Sequence, residues 1–211
     1  MHVKKGFHCI EGCVRCCTDR GNPLELTIVD ILRLSRRLYI GIKDFFECYC
    51  EIVWNRIPDT SLLIPSIALI FPCGFLERDK CTIYDFRPIH CRLFPEALIL
   101  DSGDLSLYRN CGYRCIDEGI LMDKRRETYI HELKEIDRRE LKATASYFEN
   151  FKYCVELRPE EFKRISSLLS EIDDMEKAEK KRELCTETIS KDTRDKVFSI
   201  FMEKLSRLDM E

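Results

Sequence analysis

Apolar residues recur at helical intervals in the segment that follows residue 26, and they predict two amphipathic helices. Thr27 with Asp30 three residues later is typical of a helix N-terminus, where the threonine caps the first turn and the acidic residue favours its positive end. Gly41 interrupts the pattern, and a second stripe then predicts a helix that ends before Pro58. The apolar members of that second stripe are Ile42, Phe45, Phe46, Tyr49, Ile52 and Val53.

From residue 62 to residue 107 the pattern changes to short apolar runs separated by turns, which predicts strands. The polar residues 77–80 would form the turn of a hairpin with Cys73 and Cys81 on either side. A second hairpin is indicated around Gly103, which can take a positive φ. Outside the first hairpin, the candidate strands are residues 62–64, 67–71, 97–100 and 105–108.

Beyond residue 115 the apolar positions return to helical spacing, and no glycine follows Gly119. We therefore expect an α+β fold. Residues 1–115 would form a cysteine-rich domain of two N-terminal helices and short antiparallel hairpins, and residues 116–211 a helical C-terminal region.

Composition narrows the class of protein. The chain has 211 residues, of which 45% are hydrophobic, so it can bury a core without relying on a metal for all of its folding energy. Residues 1–115 carry 15 basic and 14 acidic side chains and residues 116–211 carry 20 and 24, a balance that argues against nucleic-acid binding. The first residues lack an apolar signal-peptide core, and the longest uncharged stretch is short and broken by prolines. We expect a cytoplasmic protein with no membrane span.

Cysteines supply the clearest chemical signal, because 11 of the 13 fall between Cys9 and Cys115. Thiolates two or three residues apart can converge on one metal ion or cluster, and later cysteines can complete the ligand set. The predicted metal ligands are Cys9, Cys13, Cys16, Cys17, Cys73, Cys81, Cys91 and Cys111. These eight could form two four-cysteine sites or one cluster with additional thiols, and Cys115 is a substitute ligand.

Several alternatives remain open at the level of sequence. Cys16 and Cys17 are adjacent and would tend to diverge, which favours two sites or a separate role for Cys17. The chain has no glutamine and four asparagines, a composition that fits a thermophile, and hyperthermophile proteins use intracellular disulfides. The spacing from Cys9 to Cys16 also occurs in radical S-adenosylmethionine enzymes, but the alternating strands and helices of their barrel are missing from the pattern. The four cysteines interpreted as small buried hydrophobes are Cys48, Cys50, Cys154 and Cys185.

Four motifs between residues 7 and 115 carry a family resemblance. They are Phe7-x-Cys9, Cys13-x2-Cys16-Cys17, Leu26-Thr27-x2-Asp30 and Pro72-Cys73-x-Phe75-Leu76-x4-Cys81-x-Ile83-Tyr84-x2-Arg87-Pro88-x2-Cys91-Arg92-x-Phe94-Pro95. In these motifs the chain resembles the CxxCxxCC cysteine-cluster family of zinc- or iron-chelating domains, which is similar to the flagellin lysine N-methylases. It departs from the family pattern in having three residues rather than two between Cys9 and Cys13.

The resemblance implies a metal-binding domain with an iron–sulfur cluster of the 4Fe-4S type, or with zinc. At one remove it implies S-adenosylmethionine-dependent methylation of protein lysines, with a protein as substrate or partner. A structural zinc domain with a helical partner-docking tail and no catalysis is the alternative.

Residues between the cysteines are candidates for supporting the metal. Arg87 and Arg92 could compensate the negative charge of a thiolate-bound centre or bind an anion, and Tyr84 could hydrogen-bond near it. His8 and His90 each precede a predicted ligand, and a side chain next to a ligand generally points away from the metal.

Overall fold

The computed structural model describes residues 14–18, 24–57, 59–94, 96–97, 100, 124–171 and 187–208. They form a mixed α+β fold, which confirms the predicted class. The helices are α1 (Arg15–Thr18), α2 (Ile28–Leu38), α3 (Ile42–Tyr49), α4 (Ile89–Leu93), α5 (Lys124–Phe148), α6 (Pro159–Glu171) and α7 (Lys191–Leu208). The strands are β1 (Leu24–Glu25), β2 (Cys50–Arg56), β3 (Leu62–Leu69), β4 (Leu76–Glu77), β5 (Lys80–Cys81) and β6 (Val155–Glu156). Two 3-10 turns cover Tyr84–Phe86 and Asn150–Tyr153.

The larger sheet is antiparallel and is built around β3. Strand β2 pairs with β3 along its whole length, from Cys50 opposite Leu69 to Arg56 opposite Leu63. The other edge of β3 pairs with two short strands, β1 near Leu69 and β6 near Leu62. Because β6 follows α5 in the chain, the sheet contains strands from both the N-terminal and the C-terminal part.

The second sheet is the small hairpin β4–β5, with Leu76 opposite Cys81. Its turn residues Arg78 and Asp79 both have positive φ, of 46° and 61°, as a two-residue type I′ turn requires. This hairpin was predicted from the polar residues 77–80, and it separates Cys73 from Cys81 as expected.

Three predicted elements differ from the structure. The second helix ends at Tyr49, and residues 50–56 are strand β2, because the β-branched and aromatic residues at 52–54 suit a strand and the backbone finds its partners along β3. Residues 62–69 form one strand that continues through Pro65 rather than two short ones. Ala97 and Leu100 are helical rather than extended, and the predicted strand 105–108 lies outside the described residues.

Most buried side chains belong to one hydrophobic core. It joins residues before position 115, such as Leu34 and Phe45, to residues after it, such as Phe148 and Phe201. A smaller cluster holds α4 against α5 through Ile89, Leu93, Ile130 and Leu133. The predicted domain boundary at residue 115 lies outside the described residues and stays a prediction, but helices on both sides of it share this core.

Polar contacts tie the end of α5 to α7. The Tyr147 hydroxyl donates to the Lys204 carbonyl at 2.7 Å, and the Lys204 ammonium donates to the Tyr147 carbonyl at 2.8 Å and to Glu149 at 2.9 Å. Lys152 is a second ion-pair partner of Glu149. Hydrogen bonds from Lys152 and Lys204 lower the pKa of Glu149 to about 2.

Among the helices that the structure describes, none has the length and apolar content needed to cross a lipid bilayer.

Candidate metal centre

The first turn of α2 positions the segment that leads to Cys91. Thr27 accepts a hydrogen bond from the Asp30 amide at 3.0 Å, and Asp30 accepts one from the Thr27 amide at 3.2 Å, so the predicted N-terminal cap is confirmed as a capping box. Asp30 is completely buried and also accepts a hydrogen bond from the Ile89 amide at 3.1 Å. Arg33, an ion-pair partner of Asp30, donates to the Arg87 carbonyl at 3.1 Å. One carboxylate therefore caps α2 and holds the start of α4 against it.

A backbone hydrogen bond joins the two stretches of cysteines. The Cys73 amide donates to the Cys17 carbonyl at 2.8 Å, which fixes α1 beside the segment that enters the β4–β5 hairpin. Cys81 is the last residue of β5, four positions after Glu77. The fold thus brings together residues that are more than 50 positions apart in the sequence.

Four thiols are electrostatic neighbours in this region. The adjacent thiols of Cys16 and Cys17 hydrogen-bond to each other, so the expected divergence of the two side chains is wrong. That hydrogen bond, burial and the nearby thiols of Cys16, Cys73 and Cys81 raise the pKa of Cys17 far above its ordinary value. Burial also raises the pKa of Cys73 and of Cys81, and Cys16 adds to both shifts. Deprotonating these thiols together is therefore unfavourable unless a positive charge compensates them.

Two of these sulfurs accept hydrogen bonds from the backbone. The Phe75 amide donates to Cys73 and the Ile83 amide donates to Cys81, in each case from two residues further along the chain. Each of these contacts lowers the pKa of its cysteine and so favours the thiolate. The Arg87 guanidinium also lowers the pKa of Cys81. These donors provide the outer support that a metal-bound thiolate needs.

The remaining predicted ligands are only partly described. Cys91 is half-buried on α4 and packs against the main core. Cys9, Cys13 and Cys111 lie outside the described residues. Within the part of the chain that the structure describes, no three His, Cys, Asp or Glu side chains are grouped closely enough to hold a metal ion by themselves. The four thiols are therefore neighbours that do not by themselves form a ligand group among the described residues.

The eight described cysteines are free thiols. Of those interpreted as buried hydrophobes, Cys50 is buried and Cys154 is half-buried. Cys48 is exposed, so that interpretation was wrong for it, because α3 turns Phe45 and Phe46 inward and Cys48 outward. Cys185 lies outside the described residues.

Arg87 and Tyr84 form a stacked pair near Cys81. The Arg87 guanidinium carbon lies 3.7 Å from the centre of the Tyr84 ring, and the Arg87 Nε–H donates to the Tyr84 carbonyl at 2.9 Å. Arg92 donates to the Tyr129 hydroxyl at 2.8 Å. Tyr129, on α5, carried no signal in the sequence that could have linked it to the cysteines.

His90 is engaged in structural contacts. Its Nδ1 lies 2.8 Å from the Glu25 carbonyl oxygen, and its Nε2 lies 3.0 Å from an Asp137 carboxylate oxygen. Burial lowers the pKa of His90, but Asp137 and Glu25 outweigh that effect and leave the pKa above its ordinary value. The ring therefore connects α4 to β1 and α5.

Comparison with known families identifies the N-terminal half of the chain. Residues 8–111 match the model of a family named CxxCxxCC, whose description is "Putative zinc- or iron-chelating domain". The matched segment contains Cys16, Cys17, Cys73, Cys81 and Cys91. No solved structure matches the chain.

Proposed function

Because the chain belongs to the CxxCxxCC family, a family of zinc- or iron-chelating cysteine domains, we propose that it holds an iron–sulfur cluster through cysteines of its N-terminal half. The observation that carries this proposal is the hydrogen bond from the Cys73 amide to the Cys17 carbonyl at 2.8 Å, which brings the two cysteine-bearing stretches side by side. Such a cluster is held by four cysteine thiolates, and neighbouring stretches can share that ligand set.

The electrostatics of the four thiols support a bound cation. Burial and mutual repulsion raise the thiol pKa values, whereas the amides of Phe75 and Ile83 and the Arg87 guanidinium favour the thiolates at Cys73 and Cys81. Neighbouring thiols whose thiolate forms are stabilised by nearby donors are what a metal-binding site requires, because the bound cation removes the repulsion between the thiolates.

The proposed ligand set includes cysteines beyond the described four. The candidates are Cys9, Cys13, Cys16, Cys17, Cys73, Cys81, Cys91 and Cys111. When bound, an iron–sulfur cluster would supply one-electron chemistry, and zinc would supply structural support. Arg87 would offset part of the negative charge of the Cys81 thiolate.

Anaerobic purification with iron, sulfide and zinc analysis tests the proposal. We expect a brown protein with stoichiometric iron and sulfide and an electron paramagnetic resonance signal after reduction. Cys73→Ser and Cys81→Ser should lose most of the iron, whereas Cys48→Ser should retain it because Cys48 is exposed on α3. Colourless protein with tightly bound zinc would reject the cluster in favour of the structural zinc domain.

A link to lysine methylation is the finer part of the proposal, and the resemblance to the flagellin lysine N-methylases supports it. Calorimetry of S-adenosylmethionine with fully metal-loaded protein is the direct measurement. Binding, followed by methyl transfer to lysines of a protein from the same cell, would support a methyltransferase. Loaded protein that does not bind S-adenosylmethionine would remove this activity and leave the metal site unaffected.

A further inference from the structure

Beside the cysteines lies a surface that we call the arginine–tyrosine surface, made of the exposed side chains of Tyr84, Arg126 and Tyr129 and the half-buried side chains of Arg87 and Arg92. It is built from the 3-10 turn Tyr84–Phe86, the loop into α4, α4 itself and the first turns of α5. Tyr84 is 61% exposed and Tyr129 is 36% exposed. Large aromatic side chains left this accessible next to arginines are typical of contact sites for other molecules.

Arg87 is held in place by its own turn. The ring of Tyr84 covers one face of the guanidinium, and the Tyr84 carbonyl takes the Nε–H. Within the described residues, no hydrogen bond from the two Nη atoms occupies the forked edge of the guanidinium. An arginine fixed by stacking loses little side-chain freedom when it binds a ligand.

Arg92 is fixed in a similar way by α5. It donates to the Tyr129 hydroxyl at 2.8 Å, and the Arg126 guanidinium carbon lies 5.1 Å from the centre of the Tyr129 ring. Arg126 is itself paired with Glu96, to which its Nε donates at 2.9 Å and 3.1 Å. Arg126 therefore supports Tyr129 with its charge already compensated.

Arg87 and Arg92 differ from Arg126 in their charge balance. Neither forms an ion pair with a carboxylate within the described ranges, and the exposed Asp85 is paired with neither of them there. The two sides of the surface are joined by the chain itself, because Arg87 lies two residues before α4 and Arg92 lies on α4. The surface thus presents two oriented guanidinium groups that have no carboxylate partner among the described residues, framed by two tyrosines.

We propose that the arginine–tyrosine surface docks an acidic segment of a partner polypeptide, with carboxylates bound by Arg87 and Arg92. Planar guanidinium groups match carboxylates in two-point hydrogen bonds, and tyrosine and arginine dominate the energetics of protein interfaces. An open surface suits an extended polypeptide better than a small molecule, which requires a concave pocket. Nucleic acid is disfavoured because tracking its backbone requires a basic excess that neither half of the chain has.

The position of the arginine–tyrosine surface predicts where a bound partner segment would lie. Arg87 acts electrostatically on Cys81, so a segment bound there would lie beside the cysteines. The proposal does not depend on which metal the cysteines hold, since it is carried by the arginines and tyrosines.

Fluorescence anisotropy with a fluorescein-labelled peptide of alternating Glu and Gly tests the proposal on the metal-loaded protein at low salt. We expect the wild-type protein to bind this peptide and not its Gln-Gly counterpart. The double variant Arg87→Gln, Arg92→Gln should weaken binding by about tenfold or more for each lost charged contact. The matched control is Arg164→Gln, Arg194→Gln, which removes the same charge from exposed positions on α6 and α7 and should bind nearly as wild type.

Tyr129→Phe provides an independent test, because it keeps every charge and removes only the hydroxyl that fixes Arg92. It should weaken peptide binding severalfold while metal content and circular dichroism stay unchanged. If the double variant loses metal, its weaker binding could come from the lost metal, and the single variant then tests the docking proposal by itself. Failure of the wild type to bind the Glu-Gly peptide, equal weakening in both double variants, unchanged binding by Tyr129→Phe, or tighter binding of an oligo-dT of equal charge would each overturn the proposal.

Discussion

Replacing Asp30 by alanine is expected to be among the most damaging single changes to a charged residue in this fold. The side chain is completely buried and accepts hydrogen bonds from two backbone amides, those of Thr27 and Ile89, which lie 62 positions apart. It also pairs with Arg33. Asp30→Ala therefore removes one of the two hydrogen bonds of the capping box of α2 and detaches the start of α4 in one step.

The expected loss of stability follows from the groups left without partners. A buried donor that loses its acceptor costs about 1–3 kcal/mol, so two amides give about 2–6 kcal/mol. The variant regains part of this free energy, because it no longer buries a carboxylate. Burial raises the pKa of Asp30, which indicates that burying its charge is unfavourable. We expect a net loss of about 2–4 kcal/mol, a large share of a typical unfolding free energy of about 5–15 kcal/mol.

Urea unfolding followed by circular dichroism measures this effect. The matched control is Asp44→Ala, which removes an exposed acidic residue from the first turn of α3 and should cost about 0.3–1 kcal/mol through the helix dipole. Asp30→Asn, which has the same shape but one acceptor oxygen, should lie between them. If Asp30→Ala and Asp44→Ala lowered the unfolding free energy equally, the double role assigned to Asp30 would be refuted.

Three further outcomes are expected. Cys91→Ser should lose bound metal and Cys154→Ser, outside the family match, should keep it; equal metal content in the two would contradict the assignment. Phe201 is completely buried, and Phe201→Ala should lower the unfolding free energy by about 3–5 kcal/mol. Phe198 lies on the same helix and is 43% exposed, so Phe198→Ala should lower it by about 1 kcal/mol. Similar losses in the two variants would count against the shared core. The Glu149 pKa of about 2 lies below its ordinary 4.5, so its stabilisation is present above pH 4.5 and is lost as the pH falls toward 2. The stability difference between wild type and Glu149→Gln should shrink over that range, and a difference independent of pH would exclude the ion pairs as its source.

Local signals in the sequence predicted local structure. The capping box was predictable because Thr27 and Asp30 are three residues apart and satisfy each other. The β4–β5 hairpin was predictable from its polar turn. Residues 50–56 were assigned to a helix wrongly because a short apolar run fits both helical and strand periods, and only pairing with β3 decides between them.

In the candidate site too, some features could be predicted from neighbouring residues in the sequence, and others depend on residues that are distant in the chain. The cysteine spacing predicted that thiols would converge, but not the amide of Cys73 that ties α1 to the hairpin segment. The sequence identified Asp30 as a helix-capping residue, whereas its hydrogen bond to Ile89 spans 59 positions and depends on the tertiary fold. Arg92 was selected for its charge near Cys91, and its partner Tyr129 could be found only in the structure.

The distribution of buried side chains indicates that the hydrophobic core and a bound metal would stabilise different parts of the protein. The core joins α2, α3 and the large sheet to α5 and α7, and α1 contributes none of its buried members. A four-residue helix such as α1 is too short to be stable alone, and one backbone hydrogen bond to Cys73 contributes only about 1 kcal/mol. Shared coordination by Cys16, Cys17, Cys73 and Cys81 would hold this segment where the hydrophobic core does not reach. The metal in this protein would then order the cysteine segment on a body that hydrophobic burial already stabilises.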